Sequence, residues 1–302
     1  MAGSDRQIMA ESERQFIKEA ADFFHNPGVV ARGLAWIGRP LEAAQAQLPQ
    51  KVQRAISQAS RKAVEKALQA AVVSLEGTAA AGSEPGRRSP KSVPWAPPQS
   101  HGDFSARLHK GATGLLGVLS GFWGAPGFLL ELPLTTVLIL RGIADQARLA
   151  GHDLNDFEVR LECLMVFCFG TDSPKDDAME SSYFLTRALH AKIIREASVF
   201  VSKMSAQQFA EALKTGGAPL LVRLISQVAQ AFEVRVTQKF LAEALPVAGA
   251  LGGAALNFAF TDFYCGVAKY HFGLRQLEKK YSVEFVQQEF RDASRRSSAG
   301  GL

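Results

Sequence analysis

A single carboxylate stands inside a long apolar stretch of the sequence. Residues 121–142 read GFWGAPGFLLELPLTTVLILRG, and Glu131 is the only ionisable residue between Lys110 and Arg141. A carboxylate that leaves water without a partner carries a large free-energy penalty, so a buried Glu131 should be protonated or paired. We therefore expect a polar contact at Glu131, with partners from the second apolar run, residues 244–261, and its closing Asp262.

The polar residues beside these two apolar runs are candidates for that contact. Arg141 and Asp145 are four residues apart and can pair along one helix face. The alternative is that Arg141, Asp145 and Asp262 are simply solvated at helix ends. We expect one buried polar network between two glycine-rich helices, made of Glu131, Arg141, Asp145, Asn257 and Asp262.

Residue patterns typical of catalysis or metal binding are sparse. Six histidines are scattered without HExxH or paired Cys/His spacing, and no GxxxxGK[ST] occurs, so the sequence predicts no metal, nucleotide or other cofactor. Cys163 with His190 and an acid could form a thiol nucleophile, which keeps an uncharacterised hydrolase as an alternative. However, Cys163 lies in the apolar sequence LECLMVFCF, where cysteine is usually a small core residue. Basic residues are not interleaved with exposed aromatic residues, which disfavours nucleic acid as a partner.

Composition and charge limit the class of protein. The chain has 302 residues, of which 47% are hydrophobic and 21% charged; this is apolar for a soluble protein but too polar for a many-pass transporter. The net charge of +5 suits an anionic lipid surface, although it is also common in proteins that bind no polyanion. Three cysteines without a CxxC pair indicate a reducing, cytoplasmic environment, and the N-terminus lacks the layout of a signal peptide.

The elements that must position these residues are helices throughout. No run of alternating β-branched residues predicts a strand, so we expect an all-α fold, a compact multi-helix domain around two glycine-rich apolar segments. Residues 1–76 form a helical N-terminal region, and residues 77–102, rich in Pro, Gly and Ser, form a disordered linker. Residues 103–283 form the main helical domain, and residues 284–302 a disordered tail.

Residues 51–75 predict a basic amphipathic helix. Such a helix can lie on an anionic membrane surface. Its apolar side, from Val52 to Ala67, consists of Val, Ile and Ala rather than the bulky residues that insert deeply into lipid. We therefore favour a solvated basic face above an ordinary packed stripe. The basic residues of this helix are Lys51, Arg54, Arg61, Lys62 and Lys66.

Local signals also predict a helix start and a surface ion pair near residue 160. Asn155 and Glu158 have the spacing of a capping box, for a helix that runs to Phe169. Arg160 stands between Glu158 and Glu162. It could reach into the domain, but we favour pairing with these acids at the surface.

Both apolar runs carry glycine at helical spacing. Repeated glycine on one helix face suggests close approach of another helix, in lipid or in a tight soluble bundle. The sequence APG at 125–127 should break or kink a helix, so we expect residues 111–140 to form a helical hairpin, or a re-entrant pair, that turns near Pro126. The candidate packing glycines are Gly114, Gly117, Gly121 and Gly124 in the first run, and Gly249, Gly252 and Gly253 in the second.

Three ordered segments of the chain resemble the EcsC family. They are LPLTTVLILRGIADQARLAG (132–151), FEVRLECLMVFCFG (157–170) and LPVAGALGGAALNFAFTDFYCGVAKYHFGLRQLEKKY (245–281). In addition, ESSYFLTRAL (180–189) falls where that family has a tyrosine-bearing helix. The resemblance covers about residues 105–283, and Thr171 departs from it where a second glycine is expected.

This resemblance implies a role at a membrane and brings no catalytic residues with it. The bacterial namesake is encoded beside the subunits of an ABC transporter. A non-enzymatic accessory protein on the cytoplasmic side of a membrane is therefore implied, peripheral or inserted by its hairpins. Its candidate partners are the membrane surface or lipid bilayer and ABC transporter subunits. The first alternative is a soluble cytoplasmic helical protein that binds a hydrophobic ligand or lipid, and the second is the hydrolase.

Overall fold

The computed structural model describes residues 9–25, 48–73, 113–169, 179–243 and 252–299. These residues contain a 3-10 turn, Val166–Cys168, and no strand, so the predicted all-α fold is confirmed. They form nine α-helices: α1 (Glu11–His25), α2 (Gln50–Val73), α3 (Thr113–Leu149), α4 (Phe157–Met165), α5 (Met179–Val201), α6 (Ala206–Thr215), α7 (Pro219–Glu243), α8 (Gly252–Lys280) and α9 (Val283–Ala299).

The centre of the fold is a group of long helices. α3 packs against α2 and α8, and α7 packs along α2. α2 shows how the sequence produces this packing: its small apolar residues recur every three or four positions and are fully buried, while its basic side chains are exposed. The buried stripe of α2 includes Ile56, Ala63, Val64, Ala67, Leu68 and Ala71.

α3 is one continuous helix, so the predicted hairpin turn near Pro126 is wrong. The helix passes through both Pro126 and Pro133 without ending. An interior proline removes one backbone hydrogen bond, and this costs about 3 kcal/mol. Beyond Pro133, however, α3 buries apolar side chains completely, among them Ile139, Leu140 and Ile143. Burial of this kind contributes about 1.5–3 kcal/mol per side chain, which outweighs the proline penalty.

The C-terminal segment is helical where the sequence suggested disorder. α9 covers Val283–Ala299 and packs against α1. Val286 and Phe290 are four residues apart and fully buried, which anchors the helix. The prediction of disorder gave weight to the polar residues after Ala293 and overlooked this apolar spacing. It is therefore wrong for residues 284–299.

The helices before the predicted linker belong to the same hydrophobic core as those after it. Phe16 and Ile17 of α1 and Val64 of α2 join the buried residues of α3, α7 and α8 in one cluster. The predicted linker, 77–102, lies outside the described residues.

Two features near residue 155 differ from the predicted capping box. Asp156, not Asn155, is the N-cap of α4, and its side chain accepts a hydrogen bond from the Glu158 backbone N–H at 2.8 Å. Asn155 instead donates to Asp153. Both residue types cap helices well, so the sequence alone could place this cap only to within one residue.

Candidate functional site: two buried polar clusters

A cluster of ionisable side chains joins α4, α5 and α8. His271, Arg275 and Glu278 follow one another at steps of four and three residues, so they share one face of α8. This face meets Tyr183 and Arg187 of α5, which are also one helical turn apart. We call these five residues, together with Glu162 of α4, the α4–α5–α8 cluster.

Charge pairing holds the centre of this cluster. Arg187 donates two parallel hydrogen bonds to Glu278, with N–O distances of 2.7 and 2.8 Å. Arg275 donates to Glu162 at 2.8 Å. Its Nη1 also lies 3.6 Å from Oε2 of Glu278, an oxygen that accepts from Arg187 as well. The Glu278 side chain is 2% exposed. Because the two-pronged arginine–carboxylate geometry is specific, these contacts fix the three helices in one arrangement.

A tyrosine next to the ion pair contacts a buried histidine. The charge of Arg187 acts on the Tyr183 hydroxyl, which lies 3.0 Å from Nδ1 of His271. Burial raises the pKa of Tyr183 to about 12, so the hydroxyl keeps its proton and can donate it to His271. Burial, with the charges of Arg187 and Arg275, holds the pKa of His271 well below its ordinary value. His271 is therefore neutral, and its Nε2 is buried without a hydrogen-bond partner in the described structure.

A second histidine lies next to this cluster at the end of α3. Gly151 has φ = 76°, and the Gly151 and His152 backbone N–H groups bond to Arg148 and Ala147 in a Schellman motif. The motif turns His152 inward, where Nε2 lies 3.0 Å from the Phe272 carbonyl and Nδ1 lies 3.4 Å from Nζ of Lys279. Both contacts are satisfied when Nε2 carries the proton. Burial, followed by the charge of Lys279, lowers the pKa of His152 to about 4.

The chemistry of the α4–α5–α8 cluster is that of a packed polar core. Its carboxylates are paired with arginines and its tyrosine hydroxyl is hydrogen-bonded, which is the arrangement that makes buried charge tolerable.

The same region contains the predicted thiol nucleophile. Cys163 is fully buried, and burial raises the pKa of its thiol well above the ordinary range, so the thiolate is strongly disfavoured. His190 donates through Nδ1 to the Thr186 carbonyl one turn earlier. These features do not support a hydrolase.

The predicted network of five residues is only partly brought together. Asn257 accepts a hydrogen bond from Lys239 of α7, and the charge of Lys239 also acts on Glu131. Asp145 does not pair with Arg141; it accepts from Arg148 at 2.6 Å.

The remaining members of that network lie at its edges. Arg141 is exposed and Asp262 is half-buried. Asp145 and Asp262 share a neighbour, because the charges of both add to the effect of burial in raising the pKa of Cys265.

The resulting Glu131–Lys239–Asn257 cluster sits in an apolar setting. The Lys239 side chain lies over the Phe260 ring, 5.1 Å from its centroid, and Lys239 is 2% exposed. Burial raises the pKa of Glu131, while the charge of Lys239 opposes that shift. One carboxylate oxygen of Glu131 is buried without a hydrogen bond in the described structure. Lys239 was missed because the sequence VTQKFLAE gives no signal that this lysine is buried.

Arg160 is another buried cation that sequence reasoning placed at the surface. It is 2% exposed and donates to the backbone carbonyls of Leu154 and Val72. Val72 lies at the end of α2, so Arg160 satisfies a carbonyl that the helix itself leaves without a partner. The predicted surface pairing with Glu158 and Glu162 is therefore wrong, and Glu162 pairs with Arg275 instead.

The predicted glycine stripe stays a prediction. Gly114, Gly117, Gly121 and Gly124 lie in α3, and Gly252 and Gly253 begin α8, but their surroundings and the whole of Gly249 fall outside what the structure describes. Close helix approach is seen at a different glycine. A Cβ built on Gly273 of α8 would lie 2.3 Å from Cζ of Phe16 in α1.

Other kinds of site find little support in the described part of the chain. No group of three or more His, Cys, Asp or Glu side chains there could hold a metal ion. Among the described helices, none is both long enough and apolar enough to cross a membrane. A groove of about 570 Å³ runs between α1 and α9. It does not suit a hydrophobic ligand, because most of its lining is charged or polar: Glu11, Arg14, Gln15, Lys18, Glu289 and Arg296.

A match to one known protein family covers most of the described helices. The model of the EcsC protein family matches residues 34–277. The chain belongs to the EcsC protein family. The EcsC match begins before α2, about 70 residues earlier than the resemblance read from the sequence, so α2 is part of the family's common region. No curated protein and no solved structure matches the chain. The match contains Glu162, Tyr183, Arg187, His271 and Arg275 of the α4–α5–α8 cluster.

Proposed function

We propose that this EcsC protein is a non-enzymatic accessory protein that associates with the surface of a lipid membrane through an apolar stripe on α3. The observation that carries this proposal is the exposure of two leucines on consecutive turns of that helix. Leu130 is 82% exposed and Leu134 is 52% exposed. Side chains exposed in this way can transfer their apolar surface into lipid.

The surroundings of these leucines support a lipid surface as the cover. Leu130 neighbours Glu131 in the chain, and the exposed Phe258 neighbours Asn257. Since Glu131 and Asn257 both approach Lys239, Leu130 and Phe258 lie at the same end of the helix group. Seven residues beyond Leu134, the exposed Arg141 continues the stripe along the same side of α3.

This order of residues matches the layers of a membrane surface. Leucines and phenylalanine enter the boundary between headgroups and acyl chains, and arginine next to them reaches anionic headgroups. The cytoplasmic side of the membrane and ABC transporter subunits as partners rest on the resemblance alone and stay predictions.

The test is co-sedimentation of the full chain with vesicles of phosphatidylcholine mixed with phosphatidylglycerol. The double variant Leu130→Ser/Leu134→Ser should lower the partition constant by at least about tenfold, because two leucines lose their transfer free energy. Circular dichroism of the variant should match that of the wild type, since neither side chain is part of the core.

The matched control is Leu185→Ser/Leu189→Ser on α5. These leucines are also four residues apart and are 55% and 66% exposed. The control should bind vesicles like the wild type. A wild-type protein that stays in the supernatant would overturn the proposal, and so would an equal loss in both double variants.

A further inference from the structure

A second surface of the molecule carries basic side chains that neither polar cluster uses. The basic residues of α2 are all exposed, and they extend over about 22 Å of the helix. We call this surface the α2 basic face, and it consists of Lys51, Arg54, Arg61, Lys62 and Lys66.

The charge of the α2 basic face is nearly uncompensated within its own helix. Glu65 is the only acidic residue of α2, and it accepts a hydrogen bond from Arg61 at 3.1 Å. Five cations and one carboxylate give the helix a net charge of +4, against +5 for the whole chain. The positive charge of this protein is therefore prominent at α2.

The fold fixes the orientation of this face. The apolar side of α2 is buried against α3, α4 and α7, with Ile56, Ala63 and Leu68 at most 1% exposed. A free amphipathic helix can turn its apolar side into lipid, but α2 cannot do so without leaving the core. Its contribution at a membrane is thus limited to the charges that it presents outward.

We infer that the α2 basic face binds the anionic headgroups of a phospholipid bilayer, which makes the proposed membrane association selective for anionic lipid. This inference rests on the proposed function, because it names the lipid class that the same protein recognises. Each lysine or arginine near an anionic membrane surface strengthens binding by about fivefold.

The side chains between the cations favour lipid over a protein or a nucleic acid. The exposed residues there are small or polar: Ala55, Ser57 and Gln58. Protein interfaces are usually anchored by buried aromatic or large apolar groups, and single-stranded nucleic acid by aromatic stacking. The α2 basic face offers neither, whereas a bilayer surface needs only diffuse positive charge.

The test compares full-length variants on vesicles of phosphatidylcholine alone and of phosphatidylcholine mixed with phosphatidylglycerol. The charge variant is Lys51→Gln/Arg54→Gln/Lys62→Gln/Lys66→Gln. Its ratio of binding to anionic over neutral vesicles should fall by more than about tenfold. Its weaker binding to neutral vesicles should stay unchanged. Added salt should weaken binding of the wild type to anionic vesicles far more than binding of this variant.

A control with the same change in net charge separates the face from the overall charge of the protein. The control variant is Lys192→Gln/Arg195→Gln/Lys203→Gln/Lys214→Gln, at four exposed positions on α5, on α6 and between them. It should keep most of the anionic preference. An equal loss in both variants would show that net charge alone is responsible and would overturn the inference.

The remaining outcomes also distinguish this inference from the proposed function. Equal binding of the wild type to neutral and anionic vesicles would overturn the inference and leave the proposed function standing. Absence of binding to any vesicle would overturn both. Binding of single-stranded RNA that depends on the four α2 cations, without anionic preference on vesicles, would identify nucleic acid as the partner and overturn the inference.

Discussion

Arg187 and Glu278 show how this protein tolerates charge in its interior. The two side chains are largely buried and bind each other through two hydrogen bonds. The free-energy cost of removing two charges from water is offset only while both partners are present. Loss of one partner leaves the other charged and uncompensated, and this asymmetry can be measured.

We predict that Glu278→Leu lowers the free energy of unfolding by about 3–5 kcal/mol, because Arg187 then stays buried without its partner. The double variant Arg187→Met/Glu278→Leu should recover much of that loss. Urea titration followed by circular dichroism measures both. The control is Glu196→Leu, which removes the exposed pair with Lys192 and should cost less than about 1 kcal/mol. Similar costs for Glu278→Leu and Glu196→Leu would contradict the prediction.

The buried histidines make stability depend on pH. His152 has a folded-state pKa of about 4, below its ordinary value of 6.5, so the unfolded chain binds the proton more readily. Its contribution is fully present above pH 6.5 and is lost as the pH falls toward 4, by up to about 3 kcal/mol in total. His271, with a pKa well below 6.5, acts in the same direction.

We predict that His152→Gln flattens this dependence. Glutamine can still donate to the Phe272 carbonyl but does not titrate. The fall in unfolding free energy between pH 7 and pH 4.5 should therefore be smaller in the variant than in the wild type, by about 2–3 kcal/mol. Urea titrations at several pH values give both slopes, and parallel curves would show that His152 does not carry the effect.

At the scale of helices, α8 meets α1 at a point where only glycine fits. Gly273 lies under the ring of Phe16, which is itself 2% exposed and packs against Tyr270 with centroids 5.5 Å apart. Alanine is favoured over glycine inside a helix by about 1 kcal/mol, so the contact and the helix propensity act in opposite directions.

We predict that Gly273→Ala nevertheless destabilises the protein by about 1–2 kcal/mol, because the new methyl group overpacks the contact. In a Phe16→Leu background the same substitution should be neutral or stabilising. The four proteins of this double-mutant cycle can be compared by thermal or urea unfolding. An equal effect of Gly273→Ala in both backgrounds would mean that Phe16 does not limit the space.

Most helices were predictable from the sequence. The continuity of α3 through two prolines and the presence of α9 were not. Apolar spacing gave α2 and its exposed basic face correctly, because periodicity is a local property of the sequence. Pro126 and Pro133 argued for a break in α3, yet packing outweighed two local penalties. Val286 and Phe290 of α9 carried a helical signal that the polar residues after them obscured.

The candidate site was predictable in kind but not in detail. The apolar surroundings of Glu131 predict a carboxylate that is costly to ionise, and burial raises its pKa in the folded protein. Its neighbour Lys239 depends on how α7 crosses α3, which no local pattern contains. The spacing of His271, Arg275 and Glu278 on α8 did carry a signal for a polar face, but whether that face is buried depends on α4 and α5.

At the scale of the whole molecule, hydrogen bonds join α1, the first described helix, to residues at the end of α8. Glu13 of α1 is 1% exposed and accepts hydrogen bonds from Lys280 at 2.7 Å and from Tyr281 at 2.5 Å. Burial alone would raise the pKa of Glu13, but the bonds from Lys280, Tyr281 and the Ala10 backbone N–H outweigh it and lower the pKa. These contacts join residues 267 and 268 positions apart.

This closure has a consequence for the newly made chain. A ribosome adds about 5–20 residues per second, so about 10–50 s pass between synthesis of α1 and synthesis of Tyr281. During that interval Phe16 cannot pack on Gly273, and Glu13 cannot accept hydrogen bonds from Lys280 and Tyr281, because these residues have not yet been made. The first helix of the described chain is therefore among the last to reach its native contacts, and its apolar side stays available to chaperones until α8 and α9 have been made.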